Sequence, residues 1–257
     1  MGRWITFTPT GRFDFDGKSI KKLWPRLHAC DQEVLPASPE LLNAWARFHS
    51  GHFEDAYRLG LKLGHSGATV ANQAACTYAT QLERDEVKRQ ALYEAAAERA
   101  DQQLVLEPHN ANAHYALARA LGHYSQSISV AKALAQGLGG RIKTALETAI
   151  ALQPLHADAH FALGAFHADI IDKVGELIGN MAFGVRRDTS LQVFQQGFAL
   201  QPESPYGLMA YATALLMLEG DVRQDEAAHL CARAASQPAL DAREYLDVAL
   251  AKNGLPS

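Results

Sequence analysis

The chain predicts an all-α array of stacked helical hairpins, a superhelical α-solenoid, and three observations carry that prediction. Three helix endings read almost alike: Leu104-Val105-Leu106-Glu107-Pro108, Ile150-Ala151-Leu152-Gln153-Pro154 and Phe198-Ala199-Leu200-Gln201-Pro202. Each is followed within about ten residues by an alanine-rich helix start, at Ala113-His114-Tyr115-Ala116-Leu117-Ala118, Ala159-His160-Phe161-Ala162-Leu163-Gly164 and Gly207-Leu208-Met209-Ala210-Tyr211-Ala212. From Pro39 onward every segment reads helical. A recurring helix–proline–helix punctuation marks units that bury their apolar faces only against their neighbours.

Residues 1–38 differ from the rest and form an expected N-terminal arm, or cap, ahead of an array over 39–257. Trp4, Phe7, Phe13, Phe15 and Trp24 crowd the arm. Ile5/Phe7 and Phe13/Phe15 alternate around Pro9-Thr10-Gly11, which predicts two short extended pieces joined by a turn. Ser19 is placed to cap a short helix that runs toward Trp24 and stops near Pro25, and Pro36 and Pro39 mark the boundary. An arm rich in aromatics is explained if it folds back over the first repeat, because the end unit of an array needs a cover. Helix pairs are predicted at 40–50 with 53–64, 69–82 with 86–106, 109–124 with 140–152, 157–174 with 188–200, and 203–219 with 222–236. A capping helix near 239–253 ends at Asn253-Gly254.

These motifs resemble the tetratricopeptide repeat (TPR) family over about residues 40–240. Leu163-Gly164 matches the family's Leu-Gly pair, Leu117-Ala118 nearly matches it, and Pro108, Pro154, Pro202 and Pro238 match its closing proline. The usual period is 34 residues, whereas Pro108 to Pro154 spans 46 and Pro154 to Pro202 spans 48. Two repeats thus carry apolar, glycine-punctuated insertions near 125–140 and 174–187. Enlarged repeats of this kind are similar to those of the TPR component of TRAP-type transporters and of the regulator-of-microtubule-dynamics family. Left in water, Leu134, Leu138, Leu177, Ile178, Met181 and Phe183 would each forfeit about 1.5–3 kcal/mol, so both insertions are expected to be buried.

Composition narrows the function classes. An apolar fraction of 48% with 20% charged residues suits a globular protein rather than a disordered one. A net charge of −4 argues against a nucleic-acid partner, which wants a basic face. No run of about 18 apolar residues predicts a membrane span, and the first 20 residues lack the apolar core of a secretory signal. Met1-Gly2-Arg3 meets only the loosest form of the myristoylation pattern. Cys30, Cys76 and Cys231 have neither zinc nor disulfide spacing, so a reducing cytoplasm is expected, with Cys76 and Cys231 as small buried thiols; the overall reading is of a bacterial protein.

Candidate chemistry is sparse. His156, His160 and His167 share one helix face, which offers either a metal site or histidines packed between helices; the latter is favoured because the repeat resemblance puts His160 and His167 at positions of large packing residues, and the general-base glutamate of a His-Glu-x-x-His protease is missing. No phosphate loop or nucleophile elbow is present, and the carboxylates form no acid/base pair. No enzyme activity, cofactor or metal is therefore expected. The register of the resemblance places Asn112, Tyr115, Arg119, His123, Asp158, Phe161, Asp169, Tyr206 and Met209 on an inner groove that suits a protein or peptide partner. The expected function is a non-enzymatic interaction scaffold, with self-association possible. The alternative is a carrier for an apolar small molecule or lipid in a cavity lined by the insertions.

Overall fold

The computed structural model describes residues 4–7 and 13–254; among these it contains fourteen α-helices, two 3-10 turns and no β-strand. The helices are α1 Ser19–Leu27, α2 Pro39–His49, α3 Phe53–Lys62, α4 Ala68–Gln81, α5 Glu86–Leu106, α6 Ala111–Gln126, α7 Val130–Ala135, α8 Leu138–Leu152, α9 Ala157–Val174, α10 Glu176–Phe183, α11 Arg187–Leu200, α12 Pro205–Glu219, α13 Gln224–Ser236 and α14 Ala242–Lys252. The fold is the all-α helical-hairpin array that the repeated prolines predict, and every expected helix is present within a few residues of its expected ends.

The same three-residue device starts successive hairpins. Two residues beyond Pro108, Pro154 and Pro202 stand Asn110, His156 and Ser204, and each side chain accepts a backbone N–H of the helix that follows: Ala113, Ala159 and Gly207. The proline stops the preceding helix, and the cap satisfies a donor that the next helix leaves open. Ser38 caps α2 in the same way, with Pro39 in the first helical position. At the other end of the chain Gly254, with φ of +81°, takes the left-handed conformation that follows a helix most easily without a Cβ.

Two compact units divide the described residues: residues up to 28 with 33–152 and 240–243, and residues 29–32 with 153–239 and 244 onward. In the first, α2, α3, α4, α5, α6 and α8 pack successively, and α4 also packs on α2 and α6. In the second, α9 packs on both α11 and α12, and α12 packs on α13. Contact between the first helices of consecutive hairpins is what distinguishes a stacked array from a bundle. The matched Leu163-Gly164 has a clear cause, since a Cβ at Gly164 would come within 2.6 Å of the Phe194 ring.

Two expectations for the arm's helix need correction. The arm's helix α1 continues through Pro25 to Leu27, because a proline one turn from the end of so short a helix removes only one N–H bond. Its start is held by the Asp16 carboxylate, which accepts from Lys18 and Ser19 N–H, and not by Ser19 as a cap. Residues 4–7 and 13–16 lack regular structure, while the Pro9-Thr10-Gly11 turn and the Met1-Gly2-Arg3 motif lie outside the described residues.

The insertions are helical, as α7 and α10, but only part of their apolar surface is covered. Leu138 is buried and Phe183 half-buried, whereas Leu134, Leu177, Ile178 and Met181 are 51–81% exposed. The reason is the edge by which α10 docks on α9. It approaches through Gly179, where a Cβ would stand 2.7 Å from Val185 and 3.1 Å from Ile170, so its larger side chains point away from the contact.

Candidate functional site

The first unit places its polar side chains around α4. Ala71, Ala74, Ala75 and Ala79 keep this helix thin, so α2, α3, α5 and α6 all pack on it and bury it almost throughout. Asn72, Gln73 and Thr77 are carried inside with it, at 2% exposure or less. Buried polar groups of this kind need partners, and two arginines provide them. Arg99 of α5 donates to Asn72 Oδ1 at 2.5 Å and to the Tyr57 hydroxyl at 3.3 Å. Arg119 of α6 donates to Gln73 Oε1 at 2.5 Å and to Thr77 Oγ1 at 3.2 Å.

Arginine has no acceptor, so each amide turns its oxygen to the guanidinium and its NH2 away. Asn72 Nδ2 and Gln73 Nε2 have no acceptor among the described residues. Neither arginine has a carboxylate within ion-pair distance there. The result is a half-buried, donor-rich and positively charged patch without internal compensation. Its charge reaches the neighbouring groups. Burial pushes the Cys76 thiol up, and Arg119 and Arg99 oppose that shift. One turn beyond Arg119, half-buried His123 stacks on Tyr93 at 5.3 Å; burial, and then Arg119, push its pKa down to about 3.

That depression has a testable sign. The unfolded chain protonates His123 near its ordinary 6.5, while the folded one does so only near 3. The stabilisation is therefore complete above pH 6.5 and is lost as pH falls through the window between these values. Melting temperature followed from pH 7.5 to 5 should fall in the wild type. His123→Phe, which keeps the stack on Tyr93, should fall less steeply, and equal slopes would contradict the depressed pKa of this half-buried histidine.

The groove set is divided between the two units. In the first unit Asn112 and Tyr115 are buried, and Arg119 and His123 reach the surface in part. In the second, Asp158, Phe161 and Met209 are buried, and Tyr206 and Asp169 are half-buried. The Phe161 and Tyr206 rings meet at 6.3 Å, Asp169 pairs with Lys173 one turn away, and Met209 joins Leu208, Leu215 and Leu230 in the core. Arg99, Gln73 and Thr77 were missed by the sequence reading, because their relation to Arg119 exists only once α4, α5 and α6 are packed.

One ring nitrogen of each histidine on this face meets a backbone group. His160 Nε2 faces the Pro154 carbonyl at 3.1 Å, and His114 Nε2 faces the Pro108 carbonyl at 2.9 Å, one repeat earlier. A carbonyl only accepts, so both rings carry their proton there. His156 Nδ1 accepts from Ala159 N–H and His167 Nδ1 accepts from Arg186 N–H. No group of three metal-ligating residues forms among the described residues. All three cysteines are free thiols, with Cys76 and Cys231 buried.

A second polar cluster had no sequence signal. His49 of α2 meets Asp241 Oδ2 through Nδ1 at 2.5 Å and His28 through Nε2 at 3.2 Å. Trp24 stacks on His28 at 4.1 Å, and Trp45 lies edge-on to it at 4.8 Å. The order Asp–His–X is that of a catalytic triad. Here, however, the nitrogen that would face a nucleophile is turned on another imidazole, and all three groups are buried.

The solved structure of a thermophilic TPR protein from Thermus thermophilus has the same fold, with a TM-score of 0.57 at 20% identity, covering 83% of this chain and 97% of that one. No curated protein matches the chain significantly. The sequence profile described as Regulator of microtubule dynamics protein 1-3 matches residues 43–173, just over half of the chain. No helix among the described residues is long and apolar enough to cross a membrane.

Proposed function

The chain belongs to the family described as regulator of microtubule dynamics protein 1-3, and from that premise and its TPR fold we propose that it is a non-enzymatic scaffold for a protein partner. The observation that carries the proposal is the uncompensated arginine patch. Arg99 and Arg119 are held by amide and hydroxyl oxygens in fixed geometry, and their remaining N–H groups are left to an acceptor from outside. An acidic segment of a partner supplies such acceptors. Charge-assisted bonds to a preorganised guanidinium are worth about 1.5–3 kcal/mol. Of the expected groove residues, Arg119 and His123 serve this surface, while buried Tyr115 and Asn112 support it.

Residues 1–38 act in this reading as a cover for the first hairpin, and the array over 39–257 as the interaction body. The exposed side chains of α7 and α10 do not favour a closed cavity for an apolar cargo. A cytoplasmic scaffold in a bacterial cell remains the working setting.

The test is a photo-crosslinker placed at exposed Gln126, beside His123. We expect a discrete protein adduct whose yield falls about tenfold in Arg119→Gln, the equivalent of ~1.4 kcal/mol. No protein adduct, or a yield indifferent to Arg119→Gln, would overturn the assignment of this surface.

A further inference from the structure

We propose that the slot between Tyr57 and Tyr78 is a docking site for an extended segment of a partner protein carrying a tryptophan, and that Trp4 occupies it in cis. This rests on the scaffold reading above and adds a second surface, with a built-in competitor, to the same unit.

The seat of Trp4 has the parts of a peptide site. Its indole lies between two tyrosines, 4.1 Å from Tyr78 at an interplanar angle of 11° and 5.0 Å from Tyr57 at 29°. Two main-chain donors are met by side chains: Trp4 N–H by Glu54 Oε2 at 3.1 Å, and Ile5 N–H by the Tyr78 hydroxyl at 3.2 Å. Every peptide carries such donors, so they contribute affinity, while the aromatic slot contributes selectivity. Three residues on, Phe7 packs on Phe53 at 5.9 Å and against Gly51, where a Cβ would stand 2.8 Å from its ring.

Each wall of the slot is also held by a group other than the arm. Glu54 is fixed from its second oxygen by Arg58, through bonds of 2.6 and 3.1 Å. The Tyr78 hydroxyl donates to Glu83 at 2.9 Å. Tyr57 carries the Arg99 guanidinium over its ring at 5.3 Å and bonded to its hydroxyl. A seat oriented by its own neighbours keeps its shape when its occupant leaves, which is the requirement for exchange between occupants.

The experiment titrates a labelled synthetic peptide of residues 1–16 into the full chain. In wild type the tethered Trp4 competes, so the apparent affinity is reduced by the fraction of slots that stand open. Trp4→Ala and the better-filling Trp4→Leu should bind the peptide at least tenfold more tightly than wild type. A peptide with alanine at its tryptophan should not bind, and adding Tyr78→Phe should weaken binding several-fold through the lost N–H acceptor. If both variants melt cooperatively near the wild-type temperature yet bind no better than wild type, the proposal is overturned. It is also overturned if both unfold, since Trp4 is then fixed core. Wild type that dimerises through exchanged arms, with the dimer lost in Trp4→Ala, would assign the slot to a second copy instead. A failed peptide titration with an intact Gln126 adduct sinks this inference alone, whereas the reverse sinks only the arginine surface.

Discussion

Phe161→Ala lowers the unfolding free energy by about 3–5 kcal/mol in chemical denaturation, the largest effect expected of a single truncation in this chain. The ring is fully buried and meets Phe198 at 5.0 Å and Tyr206 at 6.3 Å. Its position is also defined by two glycines on different helices. A Cβ at Gly197 of α11 or at Gly207 of α12 would each come within 2.5 Å of it. Gly207→Ala is therefore destabilising by itself, by about 1–3 kcal/mol, since a packed ring cannot retreat. In Phe161→Ala/Gly207→Ala the new methyl enters the space that the ring vacated, and the double variant should be more stable than the two single losses added together. Strict additivity would mean that the ring and the glycine do not share that space.

His49→Ala is the second large effect, expected at about 3–5 kcal/mol, because it leaves Asp241 as a buried carboxylate without the imidazole that faces it. The two side chains are 3% and 5% exposed. Since the carboxylate only accepts, His49 Nδ1 donates to it, and of His49 Nε2 and His28 Nε2 one donates to the other. His49→Gln, which can still donate to Asp241, should recover part of the loss. If His49→Ala melts within a degree or two of wild type, the pair carries no structural weight and the cluster must have another role.

The hairpin order was legible because its signals are local. Prolines at a near-regular spacing, small residues at helix contacts and a glycine past the last helix each act within a few residues of where they stand. The caps were equally local, and Asn110, His156 and Ser204, two residues past their prolines, could have been read from the sequence. What was not legible is whatever depends on two elements meeting. His49 and Asp241 lie 192 positions apart, and Arg119 meets Gln73 only through the packing of α4 on α6. The burial of the insertions failed for a related reason. Area alone argued for covering Leu177, Ile178 and Met181, but Gly179 offered a closer approach to α9 and decided which edge of α10 docks.

The place where α7 and α10 interrupt the array has a consequence for how this chain varies. Both fall between the two helices of a hairpin, between α6 and α8 and between α9 and α11. Neither disturbs the proline-and-cap junction that joins one hairpin to the next. The junctions behave as fixed couplings and the hairpin tips as adjustable spacers. Lengthening a tip costs only the slowly growing entropy of loop closure, about 0.6 kcal/mol per doubling. One added residue at a junction, by contrast, would part a proline from the cap that stands two residues beyond it and leave a first-turn N–H of the next helix without its acceptor. Tolerated insertions and deletions should therefore collect at the tips, so that relatives differ in repeat length while the order of their couplings stays the same.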